Sequence, residues 1–456
     1  MEKYLFRPDN CFFGDCMPFY NFKNESYYLY FQKDTRNPVP FGEPFGWQLV
    51  ITKDFVNYQS YGEVLNKGND NEQDQFIYAG SVFLDKEKKL TAYYTGYNQN
   101  WINKKRPSQV LMKAHSLDGI HWTKEGIIKS LSPRTGYDND DWRDPNVVWD
   151  EKSQEYLLIL GTRLEGDKKC KTGRIVYFTS KDCSSWNFKG DFFSPNIYTM
   201  IEMPELIKIG DWWYLIYSEY DFKKTTHYCM SKDLYGPWII PSVDTFSGRA
   251  YYAARICSNG KKFYLCGWVP SKEAGKDTNN YLWGGTFLPL EVVSTSNGLL
   301  ETRLIDSITE SAKPKLSAPK KIIKSLNKRS EFMINSNLKK NYLFSMDFLF
   351  RKSKGYLGII FFESQDTNEG YELIISIDDQ EISINRTPNL RWFQLLNIGL
   401  NRKINICKNK WYHLDLLIDD TVIILSINGT VLSCRVEKTN KSCLGISVTN
   451  SICEIK

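Results

Sequence analysis

A fourfold recurrence constrains this chain more than any other feature. Ile51-Thr52-Lys53-Asp54 leads to Tyr58, and His115-Ser116-Leu117-Asp118 leads to Trp122. Thr179-Ser180-Lys181-Asp182 leads to Trp186, and Met230-Ser231-Lys232-Asp233 leads to Trp238. Each copy has a short apolar run, then Ser/Thr-x-Asp, then an aromatic residue four or five positions on. Asp in this setting caps a turn through its own side chain, and the aromatic packs between sheets. These four Asp residues are therefore structural. The copies are spaced by about 64 residues twice and then by about 50, which marks a repeat of supersecondary units.

Each repeat also contains an earlier pair of strand-like runs. Pro18-Phe19-Tyr20 precedes Tyr27-Tyr28-Leu29-Tyr30-Phe31, and Ser81-Val82-Phe83-Leu84 precedes Leu90-Thr91-Ala92-Tyr93-Tyr94. The same order recurs at 146–160, at 205–217 and, as a fifth copy, at 251–268. Aromatic residues make up 15% of the chain, which suits strands. Five copies of about four strands predict an all-β fold beginning with a five-bladed β-propeller over residues 1–310. A β-solenoid would need a shorter repeat. The repeat stops after about Leu304. Lys313 to Lys328 is basic and holds Pro314 and Pro319, so residues 311–329 read as a linker. Residues 330–456 return to short alternating runs, with Asn428-Gly429 as a hairpin turn, and read as a C-terminal β-sandwich.

Composition excludes several classes of function. A net charge of +6 with acids and bases well mixed is a poor nucleic-acid footprint. The 11 cysteines include no CxxC pair, and with four histidines there is no metal-ligand pattern. No metal and no cofactor are expected, and the odd, scattered cysteines point to a reducing compartment. Met1-Glu2-Lys3-Tyr4 opens no apolar leader, and no run is long enough to span a bilayer. The expectation is a soluble, cytoplasmic protein that binds neither nucleic acid nor membrane, with no oligomeric state specified.

The most acidic stretch holds Asp138, Asp140, Asp141 and Asp144 just before Val147-Val148-Trp149. It reads as a turn delivering a carboxylate to the mouth of a strand, with Arg143 and Pro145 fixing it. Asp15 and Glu202 stand before the first strands of other repeats, so the three acids share one phase. In a propeller one phase of each inner strand faces one end of the central channel, and the acids should converge there. Clustered carboxylates repel, so one of them should hold its proton. A protonated acid beside an ionised one is what glycosidic cleavage requires.

These motifs resemble those of glycoside hydrolase family 32, the invertases, levanases and inulinases. Gly14-Asp15-Cys16-Met17-Pro18 stands in the place of the family's Asn-Asp-Pro-Asn-Gly. Arg143-Asp144-Pro145 matches Arg-Asp-Pro, and Glu202-Met203-Pro204 matches Glu-Cys-Pro. Tyr78-Ala79-Gly80-Ser81 resembles Phe-Ser-Gly-Ser. Tyr251 to Ala254, Gly267-Trp268 and Trp283 to Pro289 resemble the end of the family's propeller. The resemblance implies Asp15 as nucleophile, Glu202 as general acid and base, and Asp144 as transition-state stabiliser. It places Gln32, Trp47, Ser81 and Arg143 against the sugar. The implied reaction is retaining hydrolysis that releases fructose from sucrose or a short fructo-oligosaccharide through a covalent fructosyl-enzyme. A small oligosaccharide is then the partner. Fructosyl transfer, cleavage of another furanoside such as an arabinofuranoside, and sugar binding without catalysis are the alternatives. Three departures stand out: Gly14 replaces Asn, Cys16 replaces Pro, and Leu290 replaces Arg. The loss of the Asn predicts poor activity on sucrose itself. Cys16 reads as a small buried filler rather than a reactive thiol.

Overall fold

The protein is described by a computed structural model covering all residues except 1–2, 38–41, 103, 222, 250, 337, 339–340, 363–368, 388–399 and 439–442. Its first part is a propeller of five antiparallel blades, spanning residues 12–65, 76–127, 137–193, 201–231 and 252–303. Second strands such as Ser26–Asp34 and Glu155–Leu164 are buried on both faces and read as nearly continuous apolar and aromatic runs. Outer strands such as Tyr58–Leu65 and Asn187–Phe193 are the solvent edge and carry charged and polar residues. In the fourth blade the outer position is reduced to two isolated bridges, Met230 with Ile239 and His227 with Thr245. The ring closes where Phe13 of the first blade pairs with Gly285 of the fifth.

The recurrent turns lie where the third strand of a blade hands over to the fourth. Asp54 accepts from the amides of Val56 and Asn57 at 2.9 and 2.8 Å, and Asp118 from those of Ile120 and His121, both at 2.8 Å. Asp182 accepts from Ser184 and Ser185, and Asp233 from Tyr235. Each following aromatic then packs on the preceding blade. Trp122 meets Tyr30 edge-on at 5.8 Å, Trp186 meets Tyr93 at 5.7 Å, and Trp238 meets Phe192 at 5.9 Å. Tyr58 of the first blade reaches Phe287 of the fifth. The repeat is thus a device that caps one blade and fastens it to its neighbour.

The second part is a β-sandwich. Leu444–Ile455 passes from one layer to the other: residues 444–449 pair with Tyr356–Phe361, and residues 453–455 pair with Asn341–Phe350. The basic stretch assigned to a linker is not one. Lys321–Asn335 is a 15-residue strand running beside Leu444–Ile455, and Lys315–Ser317 pairs in parallel with Asn341–Phe350. Its lysines, Lys321, Lys324 and Lys328, are exposed, which gives the same composition as a solvated connector. Only the short helix Asp306–Ser311 and its flanks join the two parts. The interface is apolar at its centre, because Leu343, Leu417, Val422, Ile424 and Val431 of the sandwich belong to the propeller's own core cluster. Arg7 also reaches across to the fully buried Asp419 at 2.7 Å.

Candidate active site

The inner strand of every blade is broken at one level by a β-bulge. The register slips between Phe13 and Cys16, Tyr78 and Gly80, Arg143 and Asn146, Glu202 and Glu205, and Tyr252 and Arg255. A bulge bends its strand and re-aims the residues at the break. Asp144, Met203 and Ala253 take positive φ there, at 63°, 53° and 52°. The five bulges surround a cavity of about 730 Å³ at one mouth of the ring. It is lined by Asp15, Tyr78, Ala79, Arg143, Asp144, Glu202 and Tyr252, so all five inner strands contribute.

Asp15, Asp144 and Glu202 do converge here, but not through one shared phase. Aligning the bulges by their partners puts Glu202 level with Arg143, Asp144 level with Met203, and Asp15 one step further, level with Pro145 and Pro204. The acids occupy three successive places of one repeated bulge, each on a different blade. Three carboxylates therefore enter the cavity from three directions. Nor is the acidic strip a turn before a strand, since Tyr137–Asp150 is one long bulged strand. Asp138 and Asp140 accept hydrogen bonds within and beside it, from the amide of Asp140 and from Ser108. Asp141 lines the cavity and binds Arg143 at 2.6 Å.

Each carboxylate has its own set of donors. Asp15 takes the indole N–H of Trp268 on Oδ1 at 3.1 Å. In the amide orientation that satisfies both of its polar atoms, Gln32 donates to Asp15 Oδ2 at 3.2 Å and accepts from the amide of Ala79 at 2.6 Å. Glu202 is gripped by Arg143, whose Nη2 and Nε reach Oε1 at 2.7 and 3.1 Å, and its other oxygen accepts from the Tyr252 hydroxyl. Asp144 accepts from the Met203 amide at 3.0 Å, and its own amide donates to Thr95 at 3.0 Å. Burial, then the charges of Asp144 and Glu202, push the Asp15 carboxyl well above its ordinary range, against the pull of Trp268 and Arg255. Burial raises Asp144 to about 6, with Glu202 adding to the rise and Arg143 opposing it.

Of the residues expected against the sugar, Gln32 and Arg143 line the cavity. Trp47 does not. It is fully buried beneath, packs on Tyr30 and Tyr94, and donates its N–H to the carbonyl of Tyr78 at 3.0 Å, so it supports a lining residue. Ser81 also lies outside the lining, buried two residues past the part of its strand that meets the cavity. Cys16 is fully buried, as a filler should be. The sequence reading missed the aromatic wall of Phe45, Tyr78, Trp268 and Trp283. Phe45 and Trp283 lie parallel at 6.1 Å, and Trp268 meets Trp283 edge-on at 6.0 Å. Gly14 was the available signal. A Cβ there would lie 2.3 Å from the Trp283 ring, so the missing side chain makes room for the indole. A further part of the lining is cationic, with Arg163, Lys168, Lys223 and Lys224, the first two within 4.0 Å of Asp141.

Residues 6–298 match the model of the glycosyl hydrolases family 32 N-terminal domain, and the chain belongs to that family. The sucrose-6-phosphate hydrolase of Escherichia coli is 24% identical over 61% of this chain and 59% of its own length. The levanase of Bacillus subtilis is 28% identical over 42% of this chain and 26% of its own. The chain spans about three fifths of the length of the sucrose-6-phosphate hydrolases it matches. Solved structures agree on the fold across both parts. The exo-inulinase of Aspergillus awamori superposes with a TM-score of 0.75 at 16% identity, covering 100% of this chain and 97% of that one. The sucrose-6-phosphate hydrolase of Lactobacillus gasseri gives 0.75 at 18% identity, covering 98% and 93%.

Proposed function

We propose that this protein is a retaining β-fructofuranosidase acting on sucrose-like or short fructan substrates. The observation that carries the reading is the convergence of Asp15, Asp144 and Glu202 from three blades on one cavity with an aromatic wall. Asp15 attacks the anomeric carbon of the fructosyl unit as Glu202 passes its proton to the departing glycosidic oxygen. Glu202 then takes a proton from water, whose oxygen displaces Asp15 and frees fructose. Donors on both oxygens of Asp15 favour its anionic, attacking form. Arg143 and Tyr252 hold Glu202 in one orientation. Asp144 holds ring hydroxyls and balances the positive charge that develops on the ring. The sugar's apolar face stacks on Trp268 and Trp283. The relatives are named as hydrolases, and nothing favours transfer, arabinofuranoside cleavage or binding alone.

The cationic wall favours a second feature, an anionic group on the part of the substrate that leaves. Sucrose 6-phosphate, for which four of the relatives are named, has that chemistry. The compartment we infer is a reducing one, since all 11 cysteines are free, although two relatives are named as extracellular. No helix among the described residues is long and apolar enough to cross a membrane.

Sugar release from sucrose, sucrose 6-phosphate, 1-kestose, inulin and levan tests the proposal. Fructose is expected from at least one of them, with Asp15→Asn and Glu202→Gln each slower by a factor of about 10² or more. Unchanged release by either variant would overturn the assigned roles. A kcat/KM for sucrose 6-phosphate at or below that for sucrose would remove the anionic reading.

A further inference from the structure

We infer that Arg255 is a positioning residue that holds the carboxylate-bearing bulges in place and supplies the fixed positive charge beneath them. This inference rests on the function proposed above. Arg255 follows the bulge of the fifth blade, and its side chain is 1% exposed. It crosses the ring to two other blades. Nη1 donates to the carbonyl of Gly80 and reaches that of Pro145 at 3.5 Å, and Nη2 donates to the carbonyl of Asp144 at 3.0 Å. Gly80 and Asp144 are themselves residues of the second and third bulges.

Two consequences follow from this geometry. The first is mechanical. Asp144 sits at a φ of 63°, which costs a non-glycine residue energy and persists only where its surroundings enforce it. The guanidinium fork on its carbonyl is such a restraint, and a planar, multidentate donor suits two strands at once where an ammonium does not. The second is electrostatic. Five carboxylates gather here: Asp15, Asp141, Asp144 and Glu202 line the cavity, and Glu205 is buried beside Arg255. Arg143 binds Glu202 and Asp141 and lies 4.0 Å from Asp144, but it does not serve Asp15 or Glu205. Arg255 is the cation that acts on Asp15, Asp144 and Glu205 together.

The groups that face this cation are Glu205 from the fourth blade, Asp144 from the third, and Asp15 and Cys16 from the first. Asp15 in turn faces Asp144, Glu202 and Trp268, and Asp144 faces Arg143, Glu202 and the Met203 amide. Burial lifts Asp15 and Asp144, and Arg255 pulls both back. Without it they hold their protons to higher pH, and the attacking form of Asp15 becomes scarcer.

Arg255→Gln keeps a donor for the carbonyls but removes the charge, and Arg255→Lys keeps the charge but loses the fork. The acid limb of the kcat/KM–pH profile is expected to rise by about one unit in Arg255→Gln. In Arg255→Lys it should stay within a few tenths of a unit while kcat falls about tenfold. Superimposable profiles for wild type and Arg255→Gln, with only the thermal midpoint lowered, would reduce Arg255 to a structural brace. Should Arg255→Gln fail to fold, a lysine variant with wild-type kcat would overturn the positioning role. Infrared titration of the carboxyl bands without substrate separates this inference from the functional one. A carboxyl titration that moves up in Arg255→Gln upholds the charge role even if no fructoside is cleaved, and one that does not move refutes it.

Discussion

At the residue scale, the site is built from charges that folding alone would not choose. Asp144 is 3% exposed and titrates at about 6, against about 3.9 for an Asp in an unfolded chain. The folded state therefore binds the proton more tightly than the unfolded state. Stability from this group is fully present below about pH 4 and is lost as pH rises through about 6, an effect of roughly 2–3 kcal/mol. Asp144→Asn keeps an acceptor for the Met203 amide and removes the charge. It is expected to unfold at a higher temperature than wild type at pH 7.5, with the difference closing near pH 4, as calorimetry at the two pH values would show. Asp15 is displaced in the same direction, and in the proposed mechanism it must lose its proton to attack. Activity should therefore rise with pH along an acid limb above the usual carboxylate range. A limb near pH 4 would show that Asp15 is not the group being titrated.

At the element scale, the bulge is the unit that makes the site. Each inner strand carries one at the same level, and a single-residue difference in where the acid falls on it decides whether the carboxylate comes from beneath, beside or across the cavity. Such close approach of neighbouring blades requires small residues behind the bulges. Gly161 is opposite the bulge of its own blade, and a Cβ there would lie 2.2 Å from the carbonyl of Ile201, next to Glu202 on the following strand. Backbone cannot yield as a flexible side chain can. Gly161→Ala is expected to cost about 1–3 kcal/mol in denaturant unfolding and to lower kcat by displacing Glu202. The turns carried by Asp54, Asp118, Asp182 and Asp233 were readable from sequence because their chemistry is local: each Asp binds amides two or three residues on. The bulge offsets were not, because an extra residue in a strand leaves no mark except against its partner.

At the scale of the whole molecule, the propeller and the sandwich share a core. Leu343, Leu417, Val422, Ile424 and Val431 would be left as an exposed apolar face if the propeller stood alone. One cooperative thermal transition is therefore expected for the full chain, and two separated transitions in calorimetry would contradict the shared core. The strand Lys321–Asn335 is where the sequence reading of the architecture failed. A largely exposed strand with many lysines has the composition of a linker, and only its partner, Leu444–Ile455, far along the chain, identifies it.

By itself, the sequence determined the number of blades, the two-part order and which three acids meet in one cavity, because the repeat and the triplets are written in neighbouring residues. Tertiary structure decided what those residues do. Trp47, a plausible sugar contact in one dimension, is core, while Trp268 and Trp283 form the wall instead. Gly14 is meaningful only because an indole from the last blade occupies the space its side chain would need. Arg255 matters because it reaches two other blades. The physical reason is common to all three: capping and alternation act over a few residues, whereas burial, electrostatic field and steric exclusion at the ring's centre arise from five strands that meet only when the propeller closes.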